Sequence, residues 1–454
     1  MHTKDISIKI MRKAYIFLLI GSLIILSSCK GNDAVIDKGQ KEKIQLKVST
    51  RADDQITHNA IYKFNAKNKN MKILADDIPQ NINKEYSDKL AADLMAGAGP
   101  DLFCNNTDIY PSIYKAIQNK TFYDLNKLIK KDNEFKLADY YDKIINCGEI
   151  DGNKYILPVN FDVHIFYGFD KVLKRNDVII DNRKLSWEML ANISLEYTEG
   201  SGKYFFFPMD FQTIFESYGK RFVDYKSKKA DFDSKEFINM LKSYKSIIPA
   251  ICPPEYALKY QGLYWGMVKD NALILLQTYS TNPEFFWNEY NFGKKVLNSE
   301  MKLYPYPSSQ ANGNYSAYVK KFAAISNKCK YPEEAFEFIK YILSEEIQNN
   351  TVPTSAPVNK KAYKEIVAYF SSNEKRGEDI KNPADNKIYK SEAIPEELAE
   401  VLASIPEKID TCNFIDQSVL NIINDEMINF LNGSKSAEQT AKAINGKVML
   451  FLNE

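Results

Sequence analysis

The chain has 454 residues, of which 44% are apolar and 26% charged, so it is long enough for two or three globular domains, each with its own core. Its 60 basic and 59 acidic side chains nearly cancel, which argues against a nucleic-acid-binding protein because phosphate binding needs a basic surface. With 3 histidines and 55 tyrosines and phenylalanines (29 and 26), the composition favours a binding or structural protein over a metalloenzyme.

The N-terminal segment has the layout of a secretion signal. Basic residues at positions 9, 12 and 13 precede an apolar run at 15–26, which is shorter than the about 20 residues that a membrane-spanning helix needs. Leu26-Ser-Ser-Cys29 follows and resembles a bacterial lipobox, in which cleavage before the cysteine leaves a thiol that receives diacylglycerol. Two acyl chains are enough for stable anchoring.

We therefore predict a lipoprotein signal peptide at residues 1–28, lipidation at Cys29, and a polar, lipid-anchored tether at residues 29–43. An ordinary cleaved signal and an uncleaved anchor are the alternatives, and the start codon could be Met1 or Met11. The expected location is outside the cytoplasm, at the surface of the cell membrane.

The five cysteines beyond the lipobox are widely spaced, odd in number and lack a C-x-x-C pair. A chain of this size does not need a disulfide framework, so we interpret them as free, buried thiols, although disulfides remain the alternative. They are Cys104, Cys147, Cys252, Cys329 and Cys412.

The first part of the mature chain alternates predicted strands at 44–50, 71–75 and 101–104 with predicted helices at 55–68 and 83–96. Such alternation with short turns predicts a parallel sheet covered by helices. Ligands bind such sheets at the loops that follow the carboxyl ends of strands, here residues 50–55, 76–81 and 105–110.

The rest of the chain continues the same α/β pattern. Its predicted strands lie at 154–158, 164–169, 272–277 and 319–325, and its predicted helices at 235–247, 332–344, 415–431 and 437–452. The charged, weakly patterned stretch 371–390 is predicted to be a surface insertion. We find no internal repeat.

Enzyme signatures are weak. Only His58 and His164 follow the signal, and neither lies near a G-x-S-x-G motif, which argues against a Ser/His/Asp hydrolase. Gly200-Ser-Gly-Lys203 resembles the end of a P-loop but lacks the first glycine and the hydroxyl residue. Acidic pairs on loops are usually solvated, so no catalytic residue, metal site or cofactor is predicted.

Eight short motifs, a first signature and seven that support it, follow one another along the chain. They are Ala96-Gly-Ala-Gly-Pro-Asp-Leu-Phe103, Phe122-Tyr-Asp-Leu-Asn126, Asp151-Gly-Asn-Lys-Tyr-Ile-Leu-Pro158 with Phe166-Tyr-Gly-Phe-Asp170, Leu185-Ser-Trp-Glu-Met-Leu190, Ala272-Leu-Ile-Leu-Leu-Gln-Thr-Tyr279, Pro332-Glu-Glu-Ala-Phe-Glu-Phe-Ile339 and Val352-Pro-Thr-Ser-Ala-Pro357. Together they resemble the signatures of extracellular solute-binding proteins of family 1, the maltose-binding-like class of ABC importers. Each motif is weak alone, and the ordered set behind a lipobox is specific.

The resemblance implies a two-lobed periplasmic-binding-protein-like fold of type II, with a ligand cleft between lobes joined by a hinge. We expect lobe one at 44–160 plus 322–352 and lobe two at 161–321 plus 353–454. The implied function is hinge closure around a carbohydrate, in particular an oligosaccharide, and its delivery to the permease subunits of an ABC transporter. We expect a monomer that binds no nucleic acid.

Sugar sites combine aromatic platforms with carboxylate, amide and guanidinium groups. Tyr279 matches the family position that often stacks a sugar ring, although that residue is usually Trp. The other candidates are loop polar residues at expected cleft edges (Arg51, Asp53, Asp54, Asn105, Asn106, Asp162 and Asp210) and the aromatic residues Trp265, Trp287 and Phe414. Trp187 and His164 are interpreted as structural. The alternative function is a surface lipoprotein of the same fold that binds a peptide, a polyol or another solute, or that acts as a sensor partner.

Overall fold

A computed structural model of the protein describes residues 43–79, 88–90, 92–93, 96, 99–110, 112–260, 264–310, 312–349, 355–381 and 386–454. The predicted signal peptide, Cys29 and all but the last residue of the tether lie outside the described residues. So do most of the helix predicted at 83–96 and the beginning of the motif that starts at Val352.

The strands are β1 (Ile44–Arg51), β2 (Met71–Ile78), β3 (Leu102–Asn106), β4 (Glu149–Ile150), β5 (Asn153–Lys154), β6 (Leu157–Val163), β7 (Ile165–Phe169), β8 (Tyr204–Phe206), β9 (Val223–Asp224), β10 (Lys229–Ala230), β11 (Leu273–Thr278), β12 (Met301–Pro305), β13 (Tyr315–Ile325), β14 (Ala356–Pro357), β15 (Asp379–Lys381), β16 (Ile388–Lys390) and β17 (Ile409–Phe414).

The α-helices are Gln55–Lys67, Ile113–Gln118, Asn126–Ile129, Asp142–Ile145, Asp170–Arg175, Trp187–Thr198, Phe211–Ser217, Lys235–Ile247, Pro254–Leu258, Tyr264–Lys269, Pro283–Phe292, Pro332–Ile342, Glu345–Gln348, Lys360–Ser371, Glu396–Ser404, Gln417–Leu431 and Ala437–Asn453. Short 3-10 turns lie at Thr107–Ile109, Leu137–Asp139, Asn182–Lys184, Ile248–Ala250, Asn373–Lys375 and Pro406–Lys408, and one π turn at Gly293–Leu297. None of the helices in the described ranges is both long and apolar enough to cross a membrane.

A large sheet has the strand order β14-β6-β13-β3-β1-β2, with β17 also paired to β13. The parallel pairing predicted for the first three strands is found, but β13 runs antiparallel to both β3 and β6. The βαβ order that produces parallel neighbours holds for β1, β2 and β3. β13 instead enters the sheet from a distant part of the chain and in the opposite direction, which gives a mixed sheet.

A smaller sheet has the order β12-β7-β11-β8 and is covered by helices. Its core contains Trp187, which is 5% exposed and packs edge-on against Phe166 at a ring-centre distance of 6.0 Å, so its predicted core position is confirmed. The chain from Ile44 to Glu454 forms one compact unit. The boundaries proposed for the two lobes within it stay a prediction.

The two sheets meet where their strands are continuous in sequence. A single residue, His164, separates the end of β6 in the large sheet from the start of β7 in the smaller one. Across β13, Lys321 pairs with Asn106 at the end of β3, and Val319 pairs with Phe414 at the end of β17. β3 and β17 therefore point at each other from opposite directions, with their carboxyl ends on either side of Lys320.

The structure modifies two other expectations. The strand predicted at 154–158 is a short hairpin, β4–β5, followed by a longer strand that begins at Leu157. The stretch predicted as an insertion carries a further hairpin of its own, β15–β16. All five cysteines beyond the lipobox are free thiols, and Cys329 alone of the five is half-buried rather than buried.

Candidate functional site

An open cavity of about 390 Å³ lies where the carboxyl ends of β3 and β17 meet, and its lining includes strand residues of the large sheet and residues next to the ends of strands of the smaller sheet. Its walls include Asn106, Asp108, His164, Asp210, Tyr279 and Lys320. This is the arrangement expected of α/β proteins, in which loops after strand ends supply the ligand contacts. Three of the predicted site residues, Asn106, Asp210 and Tyr279, are brought together here.

Tyr279 provides the aromatic surface of the cavity. It follows β11 directly and is 54% exposed, although its neighbours on either side are buried. The Lys320 ammonium lies 5.6 Å from the centre of its ring. An exposed aromatic ring in the wall of a polar cavity offers an apolar face on which a ligand can stack.

His164 lies at the back of the cavity and is 5% exposed. Its Nε2 lies 3.3 Å from Glu216 Oε2, while Gln212 Nε2 donates to Glu216 Oε1 at 2.7 Å. The imidazole ring also stacks on Tyr318 at a centroid distance of 5.2 Å. The histidine is thus held by partners, as the structural interpretation expected, and it also forms part of the cavity wall.

Two exposed carboxylates, those of Asp108 and Asp210, line the cavity. Asp108 lies in the 3-10 turn after β3. Asp210 is the N-cap of the helix Phe211–Ser217, and its Oδ1 accepts from both the backbone N–H and the hydroxyl of Thr213, each at 2.9 Å. These hydrogen bonds fix the Asp210 side chain at the helix start.

Asp162 does not line the cavity but lies next to Lys320. Its side chain is completely buried, Ser355 Oγ donates to its Oδ2 at 3.0 Å, and Oδ1 has no partner among the described residues. Burial raises the pKa of Asp162 to about 7, and the Lys320 charge opposes that rise. Asp162 was predicted to contact the ligand, but the structure buries it outside the cavity wall.

The acidic loop after β1 is largely used within the protein. Arg51 Nε lies 3.0 Å from Asp53 Oδ1, and this hydrogen bond raises the pKa of Arg51, with a smaller contribution from Asp108. Asp54 caps the helix Gln55–Lys67 and pairs with Lys321. Burial opposes its ionisation, but the Lys321 ammonium and neighbouring hydroxyl groups outweigh that and lower the pKa of Asp54.

Four further predicted contacts lie away from the cavity or have their polar atoms taken up by internal partners. The Asn105 amide is fully buried, 3.2 Å from the hydroxyl of Tyr110. Trp265 Nε1 donates to Glu289 at 2.9 Å, and Trp287 Nε1 donates to a backbone carbonyl at 2.9 Å. Phe414 is 5% exposed and faces a separate cavity of about 70 Å³.

A larger cavity of about 680 Å³ lies beyond that small one. The ion pair between Lys226 and Asp151, at 2.8 Å, lies in its wall, and no exposed aromatic ring is found among the described residues that line it. The cavity beside Tyr279 therefore has the better combination of aromatic surface and converging polar groups.

Sequence reasoning missed several cavity residues, namely Asp108, Gln212, Glu216, Tyr318 and Lys320. One signal was present, because Lys320 and Lys321 interrupt an otherwise apolar strand. The others depend on strand pairings between distant parts of the chain, which local patterns do not reveal.

Comparisons with known proteins agree with this fold. A family model described as bacterial extracellular solute-binding protein matches residues 59–376. The chain is similar to an extracellular solute-binding protein family 1 from Alicyclobacillus acidocaldarius, with 14% identity, 91% of this chain and 100% of that one covered, and a TM-score of 0.59.

It is also similar to the sugar-binding protein MalE from Xanthomonas citri, with 12% identity, 90% and 97% coverage, and a TM-score of 0.65. A periplasmic oligogalacturonide binding protein from Yersinia enterocolitica matches with 16% identity, 90% and 99% coverage, and a TM-score of 0.61. At these identities the likeness establishes the fold, and the predicted type II periplasmic-binding-protein fold is confirmed.

Proposed function

The chain belongs to the bacterial extracellular solute-binding proteins, and from that premise we propose that it is the lipid-anchored substrate-binding protein of an ABC importer. It binds a carbohydrate, in particular an oligosaccharide, in the cavity beside Tyr279 and delivers it to a membrane permease. Cys29 carries the anchor, and residues 30–43 hold the folded body away from the membrane.

One observation supports the carbohydrate ligand above the others. An exposed aromatic ring, Tyr279, lies in a cavity whose other walls are mostly amide, hydroxyl and carboxylate groups. Sugars present an apolar face edged with hydroxyls, so they can stack on such a ring while hydrogen-bonding the groups around it. The volume of about 390 Å³ falls in the range of about 300–1,000 Å³ that is usual for small-molecule sites.

Ligand capture takes place by hinge closure between the two proposed lobes, 44–160 plus 322–352 and 161–321 plus 353–454. Two of the proposed lobe boundaries, 160/161 and 321/322, fall within β6 and β13, which are paired in the large sheet beside the cavity. A ligand that contacts both sides favours the closed state by its difference in affinity between open and closed forms.

A thermal-shift screen of residues 30–454 against oligosaccharides, monosaccharides, polyols and peptides tests the ligand class. A ligand at 100 times its dissociation constant stabilises the fold by about 2.7 kcal/mol, which is a measurable shift. The proposal expects a response confined to one class of glycan. A shift with peptides or polyols and none with sugars would favour the alternative function instead.

The anchor has its own test. Cells fed a labelled fatty acid are expected to incorporate the label into the parent and into Cys329→Ser but not into Cys29→Ser, because Cys29 is the acylated residue. An unlabelled parent in the membrane fraction would mean that an uncleaved signal, and not a lipid, anchors the chain.

A further inference from the structure

The cavity beside Tyr279 is lined by more acidic than basic side chains. Three carboxylates line it, those of Asp108, Asp210 and Glu216, and they come from two segments, the turn Thr107–Ile109 and the helix Phe211–Ser217 with its N-cap. Among the described residues that line the cavity, Lys320 is the single lysine or arginine. Acidic side chains therefore outnumber basic ones around the place where a ligand would lie.

The charge of Lys320 is also partly compensated. Its electrostatic interaction with the buried Asp162 lowers the pKa of that carboxyl against the effect of burial. The Lys320 ammonium is further placed near the Tyr279 ring, 5.6 Å from its centre. The lysine is thus the single lysine or arginine that an incoming anion meets among the described lining residues.

Asp108 interacts electrostatically with Arg51, a guanidinium that also pairs with Asp53. Asp210 forms no ion pair within 4.0 Å among the described residues, and the ion-pair contact in the cavity wall is that of Glu216 with His164, at 3.3 Å. Both aspartates are exposed to the cavity, so their charges act on a ligand directly.

We propose that this cavity takes uncharged saccharides and rejects acidic ones, such as oligomers of uronic acids, because Asp108 and Asp210 repel a ligand carboxylate. This inference rests on the proposed function. Carboxylates are good acceptors for sugar hydroxyls, so the same groups that bind a neutral sugar exclude an acidic one. Like charges a few ångströms apart in a partly desolvated cleft repel each other by an amount that lowers affinity about tenfold or more.

The probes are pairs of trisaccharides with the same linkage, each pair consisting of a neutral sugar and its uronic-acid counterpart. We would use the α-1,4-galacto, α-1,4-gluco and β-1,4-gluco series and measure affinity by titration calorimetry of the lipid-free chain. In the series that binds, the neutral sugar is expected to bind at least about tenfold more tightly than its uronic-acid counterpart. The difference is expected to shrink between about 20 mM and about 500 mM salt, since salt screens charge repulsion.

Asp108→Asn and Asp210→Asn test the source of the repulsion. Asparagine keeps the shape of aspartate and its N-cap hydrogen bond, so the Thr213 contact of Asp210 survives. Each variant is expected to raise affinity for the acidic sugar about three- to tenfold. The control is Asp181→Asn, since Asp181 caps the turn Asn182–Lys184 in the same way and does not line this cavity.

The outcomes separate the two proposals. Equal or tighter binding of the acidic sugar would overturn the inference and leave the carbohydrate function standing. So would a preference for neutral sugars that neither salt nor the two variants reduce, because that preference would be steric. Failure of every saccharide to bind would overturn the proposed function and this inference with it.

Discussion

A buried carboxylate, Glu289, allows a quantitative test of the packing of the smaller sheet. It is 1% exposed and accepts hydrogen bonds from the hydroxyls of Tyr264 at 2.6 Å and Tyr167 at 3.1 Å, and from Trp265 Nε1 at 2.9 Å. Burial raises the pKa of Glu289 from 4.5 to about 7, and the three hydrogen bonds limit the rise.

The raised pKa has a definite sign for stability. The folded protein holds the Glu289 proton up to about pH 7, whereas the unfolded chain releases it near pH 4.5, so the free energy of unfolding falls as pH rises between these values. A tenfold change in proton affinity corresponds to about 1.4 kcal/mol. The loss attributable to Glu289 is therefore about 3 kcal/mol at pH 8.

Glu289→Gln removes the charge and can keep the three partners. The amide oxygen accepts from Trp265 and Tyr167, while the amide nitrogen donates to the Tyr264 hydroxyl. We expect the variant to match the parent near pH 4.5 and to exceed it in free energy of unfolding by up to about 3 kcal/mol at pH 8. Urea unfolding followed by tryptophan fluorescence at both pH values measures this difference.

The control lies on the same helix. Glu284→Gln changes a half-buried side chain near the helix start and is expected to alter the free energy of unfolding by less than about 1 kcal/mol at either pH. A Glu289→Gln effect that does not depend on pH, or a parent that is more stable than this variant at pH 8, would refute the reasoning.

Two further substitutions test the large sheet. Lys321→Met should lower the free energy of unfolding by about 3 kcal/mol, since it leaves the Asp54 carboxylate buried without its cation, and adding Asp54→Asn should restore part of the loss in urea unfolding. Gly219→Ala should cost about 1–3 kcal/mol in the same assay, because Gly219 has a φ of +80° and a Cβ there would lie 2.3 Å from Ser316 Oγ and 2.4 Å from Thr411 Oγ1. A variant as stable as the parent would contradict the explanation given for that substitution.

Local elements were predictable from the sequence because their signals are local. The helix Gln55–Lys67 begins after the N-cap Asp54, and the final helix, Ala437–Asn453, begins with a capping box of Ser436 and Gln439. Hydrophobic periodicity then gives the lengths of both. The strand β1 follows in the same way from its alternation.

The pairing of β13 could not be predicted in this way. Its partners β3, β6 and β17 come from distant parts of the chain, and their directions depend on the packing of the whole molecule. Lys320 and His164 reach the cavity through those pairings. Tyr279 was predicted from its match to a family position, and Asp210 because it follows a buried aromatic run.

Residue type was a poor guide to burial among the aromatic candidates. Trp287 is 5% exposed and donates to a backbone carbonyl, while the less apolar Tyr279 is 54% exposed in the cavity. Tryptophan suits both cores and binding sites, since it combines a large apolar surface with one donor. Whether a tryptophan lies in the core or in a binding site depends on tertiary contacts.

The central claim is that a saccharide lies against Tyr279. Titration calorimetry of the best-binding oligosaccharide with the parent, Tyr279→Ala and Tyr62→Ala tests it most directly. Tyr62 is 77% exposed on the helix Gln55–Lys67 and does not line the cavity, so it controls for loss of an exposed tyrosine. We predict that Tyr279→Ala weakens binding at least about tenfold while Tyr62→Ala binds as the parent does. Parent-like affinity in Tyr279→Ala would contradict the claim, because the ligand would then have to bind in another part of the fold.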